Sequence, residues 1–74
     1  MRDDELTTIS SREVGARIRK LREARGISAG DLADKVGVTE DQLRSWESGV
    51  GVAPYEVIKA LAAALATTVD AFVS

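Results

Sequence analysis

A chain of 74 residues with neither Cys nor His excludes disulfides, thiol or imidazole catalysis and the commonest zinc sites. The length allows one domain, near the lower limit for a single apolar core. With 45% hydrophobic residues but one Trp, one Tyr and one Phe, that core must be Val, Ile, Leu and Ala. The formal net charge of −2 is unevenly spread: residues 11–26 hold six Arg/Lys against two acids, and every other segment is net acidic.

Residues 1–9 show no periodicity and read as a flexible acidic tail. Their acids and the lack of an apolar run exclude a signal peptide, and no stretch approaches the ~20 apolar residues of a membrane span. The domain is expected over residues 10–74, in the cytoplasm. Ser10 and Glu13 have capping-box spacing, with the Ser10 side chain accepting from the Glu13 amide. Val14, Ile18 and Leu21 then form one helical stripe, with Arg12, Arg19 and Glu23 opposite it. Gly26 ends this first helix.

Ser28 opens a second, shorter helix, with Asp31 favourable to its dipole, Leu32 and Val36 inward, and Gly37 as its stop. Thr39 caps a third helix two residues later, and Gln42 completes a second capping box. Leu43 and Trp46 face inward and Gly49 closes it. Residues 49–53 form an uncharged loop. Pro54 suits the first position of a fourth helix, whose inward face is Val57, Ile58, Leu61 and Leu65. A last short helix starts after Thr68 and turns Val69 and Phe72 inward. The expected class is all-α with five helices.

The stretch from Leu32 to Glu47 carries the most information. Its connector is too short for antiparallel helices, so the two must cross steeply, with Ala33 at the close approach. This is the geometry that projects a second helix into a DNA major groove.

At this point the pattern resembles a known family, the phage-repressor and Cro-like (XRE) helix-turn-helix domains. The matching residues are Gly15 to Arg22, Gly26-Ile27-Ser28, Asp31-Leu32-Ala33, Val36-Gly37-Val38-Thr39, Trp46-Glu47-Ser48-Gly49, Pro54, and Leu61 to Leu65. The resemblance covers roughly residues 12–73. It implies a compact five-helix, lambda-repressor-like DNA-binding domain with the helix-turn-helix at helices 2 and 3 and residues 39–47 as the recognition helix. It also implies an ion pair between Arg22 and Glu47 joining helix 1 to the end of helix 3, a geometry that suits a guanidinium and a carboxylate.

Carried onto this chain, the family's DNA contacts fall on Ser28, Ala29, Thr39, Glu40, Asp41, Arg44 and Ser45, and on the loop from Val50 to Ala53. The family often places Gln where Ala29 stands, polar or basic side chains where this chain has Glu40 and Asp41, and a basic loop where this one is uncharged. Two unit charges ~5 Å apart in water interact by roughly 0.8 kcal/mol, so each acid facing phosphate weakens binding. Two readings of Glu40 and Asp41 stand side by side: base readout through cytosine's amino group, or charge placed for the helix dipole on a solvated face. Arg12 and Arg17 are candidate phosphate contacts, or members of a solvated face on which Arg19 and Glu23 pair at i,i+4. Val69, Phe72 and Val73 are candidate dimer residues, or simply close the core.

Two functions remain. One is a sequence-specific DNA-binding transcriptional regulator acting as a homodimer on double-stranded DNA, since a single recognition helix buries little surface. The other is a protein-interaction module that keeps the fold and binds a partner through acidic helix 3 and loop 50–53. No catalytic site, metal or cofactor is expected, because the acids lie scattered on helix exteriors.

Overall fold

The computed structural model describes residues 10–73; the tail expected at residues 1–9 lies outside the described residues. Five helices follow in order: α1 (Ser11–Ala24), α2 (Ala29–Val36), α3 (Glu40–Glu47), α4 (Tyr55–Ala64) and α5 (Asp70–Val73). No strand occurs among the described residues.

Local chemistry sets the starts of the first three helices. Ser10 accepts from the Glu13 amide at 3.1 Å and Ser28 from the Asp31 amide at 3.1 Å. Thr39 and Gln42 satisfy each other's backbone amides, each at 3.0 Å, which completes a reciprocal capping box. The α1, α2 and α3 termini thus acquire side-chain partners for amides that lack intrahelical acceptors. α4 differs. Pro54 is its N-cap and not its first helical residue, with ψ 155 and its carbonyl accepting from Ile58 at 2.9 Å. Extended ψ at the cap is what turns the incoming loop onto the helix axis, so the boundary falls one residue later than the proline's φ preference suggests.

Between α2 and α3 the chain reverses at Gly37, whose φ of 79 lies in the left-handed region. Both Gly37 and Val38 donate to the Ala33 carbonyl, at 2.9 and 3.0 Å. A residue with a Cβ pays steric energy in that conformation, and glycine does not.

The interior is aliphatic with one ring. Ile18, Leu32, Leu43, Leu61, Leu65 and Phe72 are fully buried, one or more from every helix. Each such side chain contributes ~1.5–3 kcal/mol of burial. Small residues fill the close approaches: Ala29, Ala33, Ala53 and Ala62 are also buried. Leu43 is the anchor of α3; truncating it to Ala would cost ~2–5 kcal/mol and loosen the helix that carries the exposed polar face. Arg25, just past α1, donates through Nε to the Leu65 carbonyl at 2.7 Å, tying the end of α1 to the end of α4.

Candidate nucleic-acid interface

α3 is held at three points. Its first turn is closed by the Thr39–Gln42 box. Its middle is fixed by Leu43 in the core. Its end is fixed by Arg22, which donates to Glu47 through Nε (2.7 Å) and Nη2 (3.0 Å) and, through Nη1, to the Ile27 carbonyl (2.9 Å). The side chains of this pair are only 12% and 6% exposed. Hydrogen bonding to Glu47 raises the Arg22 pKa above the ordinary arginine value, against the opposing effect of burial. A bidentate pair with little solvent fixes geometry as well as charge.

α1 reaches α3 at Gly15. A Cβ at that position would meet the carbonyl oxygens of Trp46 and Glu47, so the two backbones touch without an intervening side chain. One turn earlier, the Ser11 hydroxyl donates to the Gly49 carbonyl at 3.2 Å. A Cβ on Gly49 would stand 2.9 Å from the Arg12 Cα. The start of α1 therefore lies beside the junction of α3 and the following loop, and Arg12 lies there with it.

With Leu43 turned inward and Glu47 paired, the outward face of α3 presents Glu40, Asp41, Arg44 and Ser45, all exposed. Glu40 and Arg44 form an i,i+4 ion pair: Arg44 Nε and Nη2 both donate to Glu40 Oε2, at 2.8 and 2.7 Å. The other carboxylate oxygen of Glu40 lies 3.2 Å from where a Cβ on Gly30 would stand. The first turns of α2 and α3, capped by Ser28 and Thr39, therefore lie side by side at Gly30 and Glu40.

The remaining candidate residues fall in different places. Ser28 and Thr39 are exposed but their hydroxyls serve as caps. Ala29 needs correction: its side chain is buried in the core, because the first turn of α2 lies against the other helices, and only its backbone can face a ligand. Arg17 is half-buried and engaged within the fold. Phe72 also needs correction as a dimer residue, since it is fully buried within its own chain. Its ring is the largest group in a core that otherwise consists of aliphatic side chains. Val69 is partly buried against the same core, whereas Val73 is 40% exposed. In the loop, Val50 and Val52 are exposed and Ala53 is buried, so Ala53 is removed from the expected partner surface.

Sequence reasoning missed three contacts that shape this face. The Glu40–Arg44 pair was available from i,i+4 spacing. The Gly15 approach and the Arg25–Leu65 bond join residues 31 to 40 apart in sequence and left no local signal. Tyr55, exposed at the start of α4, carries the Lys59 ammonium 5.1 Å from its ring centroid. Among the described residues no group of three or more potential metal ligands occurs, and no helix is long and apolar enough to cross a membrane.

A family model described as a helix-turn-helix domain matches residues 13–72. No curated protein sequence matches the chain. Among solved structures, the chain is similar to the restriction-modification controller protein C.AhdI from Aeromonas hydrophila, at 29% identity and TM-score 0.80, over 84% of this chain and 94% of that one. It is similar to SinR, a master regulator for biofilm formation solved in complex with DNA, at 31% identity and TM-score 0.72, over 77% and 92%. The fold is also shared with the clp gene regulator ClgR from Corynebacterium glutamicum, at 23% identity and TM-score 0.81, over 86% and 68%.

Proposed function

The chain belongs to the helix-turn-helix domain family, and on that premise we propose that it is a sequence-specific DNA-binding transcriptional regulator with α3 as its recognition helix. The observation that carries this reading is the exposed face of Glu40, Asp41, Arg44 and Ser45 on a helix fixed at its start, middle and end. A reading helix must keep its side chains in one geometry while a groove closes over them, and a frayed or tilting helix loses that register. The similarity to a restriction-modification controller protein and to a master regulator for biofilm formation solved with DNA supports the same assignment.

Phosphate contacts in this reading come from Lys35 and from Arg12 beside the end of α3, while Arg44 stands on the outward face of that helix. Ser28 and Thr39 lie at the same edge. Few cations mean modest affinity per subunit, so a homodimer placing two α3 helices one helical turn apart on a duplex makes the binding useful. The exposed Val73 and the adjoining Val69 supply an apolar edge for that contact. The protein acts as a binding module in the cytoplasm, with no catalytic step of its own.

The test is amide chemical-shift mapping during titration with a duplex of roughly 20 base pairs, two helical turns. Perturbations centred on residues 28–30 and 39–45 are expected. Perturbations confined to α5, or none, would contradict α3 as the reading element.

A further inference from the structure

We propose that Glu40 is a positioning residue that holds Arg44 for bidentate recognition of a guanine, and is not itself a reader of bases. The inference rests on the DNA-binding reading above and names the base pair that the α3 face selects.

A guanidinium has two edges able to make paired hydrogen bonds: the side edge, formed by Nε and one N–H of a terminal nitrogen, and the end edge, formed by both terminal nitrogens. In Arg44 the side edge is occupied, because Nε and Nη2 both donate to the same oxygen, Glu40 Oε2, at 2.8 and 2.7 Å. The end edge, Nη1 with the second N–H of Nη2, meets no acceptor among the described residues. Its two parallel N–H groups match the O6 and N7 acceptors that guanine presents in the major groove, a pattern no other base offers there.

The Glu40 side chain is 46% exposed, but both of its carboxylate oxygens have protein neighbours. One oxygen receives Arg44 and the other lies over Gly30 in the first turn of α2. With Oε2 taken by the guanidinium, reading a cytosine amino group would compete with the Arg44 pair. Glu40 also carries Arg44 at a fixed height, since it is the first residue of a helix whose cap is a closed reciprocal box. An exposed i,i+4 pair adds little to helix stability, so stability alone gives no reason to place an acid on the face that must approach phosphates. Biasing the one cation of α3 toward one rotamer does give a reason: a long side chain that already favours its bound geometry loses less entropy when it binds.

Three variants test this, each exposed enough at its site to leave the fold intact, with circular dichroism as the check. Duplexes bound by the wild-type chain are first selected from a random pool, and affinities for the selected site and its single-base variants are then measured. The proposal expects a guanine at one position of each half-site, with roughly tenfold or greater loss on its replacement. Arg44→Lys keeps the charge but replaces the planar fork with a single ammonium: random-duplex affinity should stay within about twofold while the guanine preference weakens without disappearing. Glu40→Gln should raise random-duplex affinity, by about fourfold at low salt from the removed repulsion, and at the same time reduce the guanine preference to a few-fold. That opposite movement of affinity and discrimination separates a positioning residue from a merely structural one. A guanine preference unchanged in Arg44→Ala overturns Arg44 as reader. A preference lost in Arg44→Ala but intact in Glu40→Gln overturns the role of Glu40. If the wild-type chain selects no sequence at all, the DNA-binding reading fails first and this proposal falls with it.

Discussion

Arg22 and Glu47, 25 residues apart, form a two-bond ion pair at 2.7 and 3.0 Å, with the Arg22 fork completed by the Ile27 carbonyl at 2.9 Å. One side chain of α1 thereby fixes both the end of α3 and the loop that leads into α2. This guanidinium links α1 to both helices of the helix-turn-helix, alongside the Gly15 approach and the Ser11–Gly49 bond.

Breaking the pair from one side should therefore be costly. Arg22→Ala leaves Glu47 with little solvent and no counter-charge, and a loss of about 3 kcal/mol is expected by urea denaturation. In a domain of this size that is a large share of total stability. Replacing both partners by apolar residues, Arg22→Met with Glu47→Leu, should lose less than the sum of the single changes. Arg22→Lys should not rescue, because an ammonium cannot supply the fork. The sign of the pH dependence follows from the raised Arg22 pKa. The contribution is complete below the ordinary arginine value and is lost only as pH climbs through the raised one. The stability gap between wild type and Arg22→Ala should then be flat from pH 7 to about 10.

Gly15→Ala should be among the most damaging single methyl additions in the chain. Its Cβ would collide with the Trp46 carbonyl and stand 2.9 Å from that of Glu47. Both are backbone atoms of α3, so neither can rotate away. Unfolding, or a loss above about 3 kcal/mol, is expected in thermal denaturation.

Ala66→Gly should do the reverse. The ends of α1, α2 and α3 place Gly26, Gly37 and Gly49 at positive φ, but the end of α4 places Ala66 there, at φ 56. Left-handed conformation costs an alanine ~1–2 kcal/mol, partly offset by the greater freedom of glycine in the unfolded chain. A net gain of about 0.5–1 kcal/mol is expected, raising Tm by roughly 2–6 °C. Gly37→Ala, where a Cβ meets nothing within 4 Å, isolates the same backbone term with the opposite sign and should lower Tm.

Phe72 and Val73 should part company. Phe72→Ala opens the core and should cost ~3–5 kcal/mol in denaturation. Val73→Asp, at a 40% exposed position, should leave monomer stability within ~0.5 kcal/mol. In sedimentation equilibrium it should shift the protein toward monomer. An unchanged association constant would place the dimer contact elsewhere.

Much of this architecture is local and was legible for that reason. Ser10, Ser28 and Thr39 cap amides three residues ahead, Gly37 turns the chain at one position, and Ile18, Leu32 and Leu43 lie on stripes of helical period. What escaped depends on elements meeting in space. Alanine carries no orientation signal, so nothing in the sequence placed Ala29 and Ala53 inside or Ala66 in a left-handed cap. Arg22 and Glu47 became a pair through family resemblance and not through spacing. Arg25 and Gly15 act on Leu65 and Trp46, partners no local pattern identifies. On the candidate interface the residue types were readable. The Glu40–Arg44 pair, which changes the meaning of both, is suggested by i,i+4 spacing but made by the fold.

DNA binding by α3 is tested most directly by following duplex affinity against salt concentration. Binding should weaken linearly on a log–log scale, with a slope of about −2 per subunit from Lys35 and Arg12 acting on phosphates, and a selected sequence should be bound more tightly than random duplex throughout. No detectable binding of any duplex at low salt, with the chain shown folded, would contradict it.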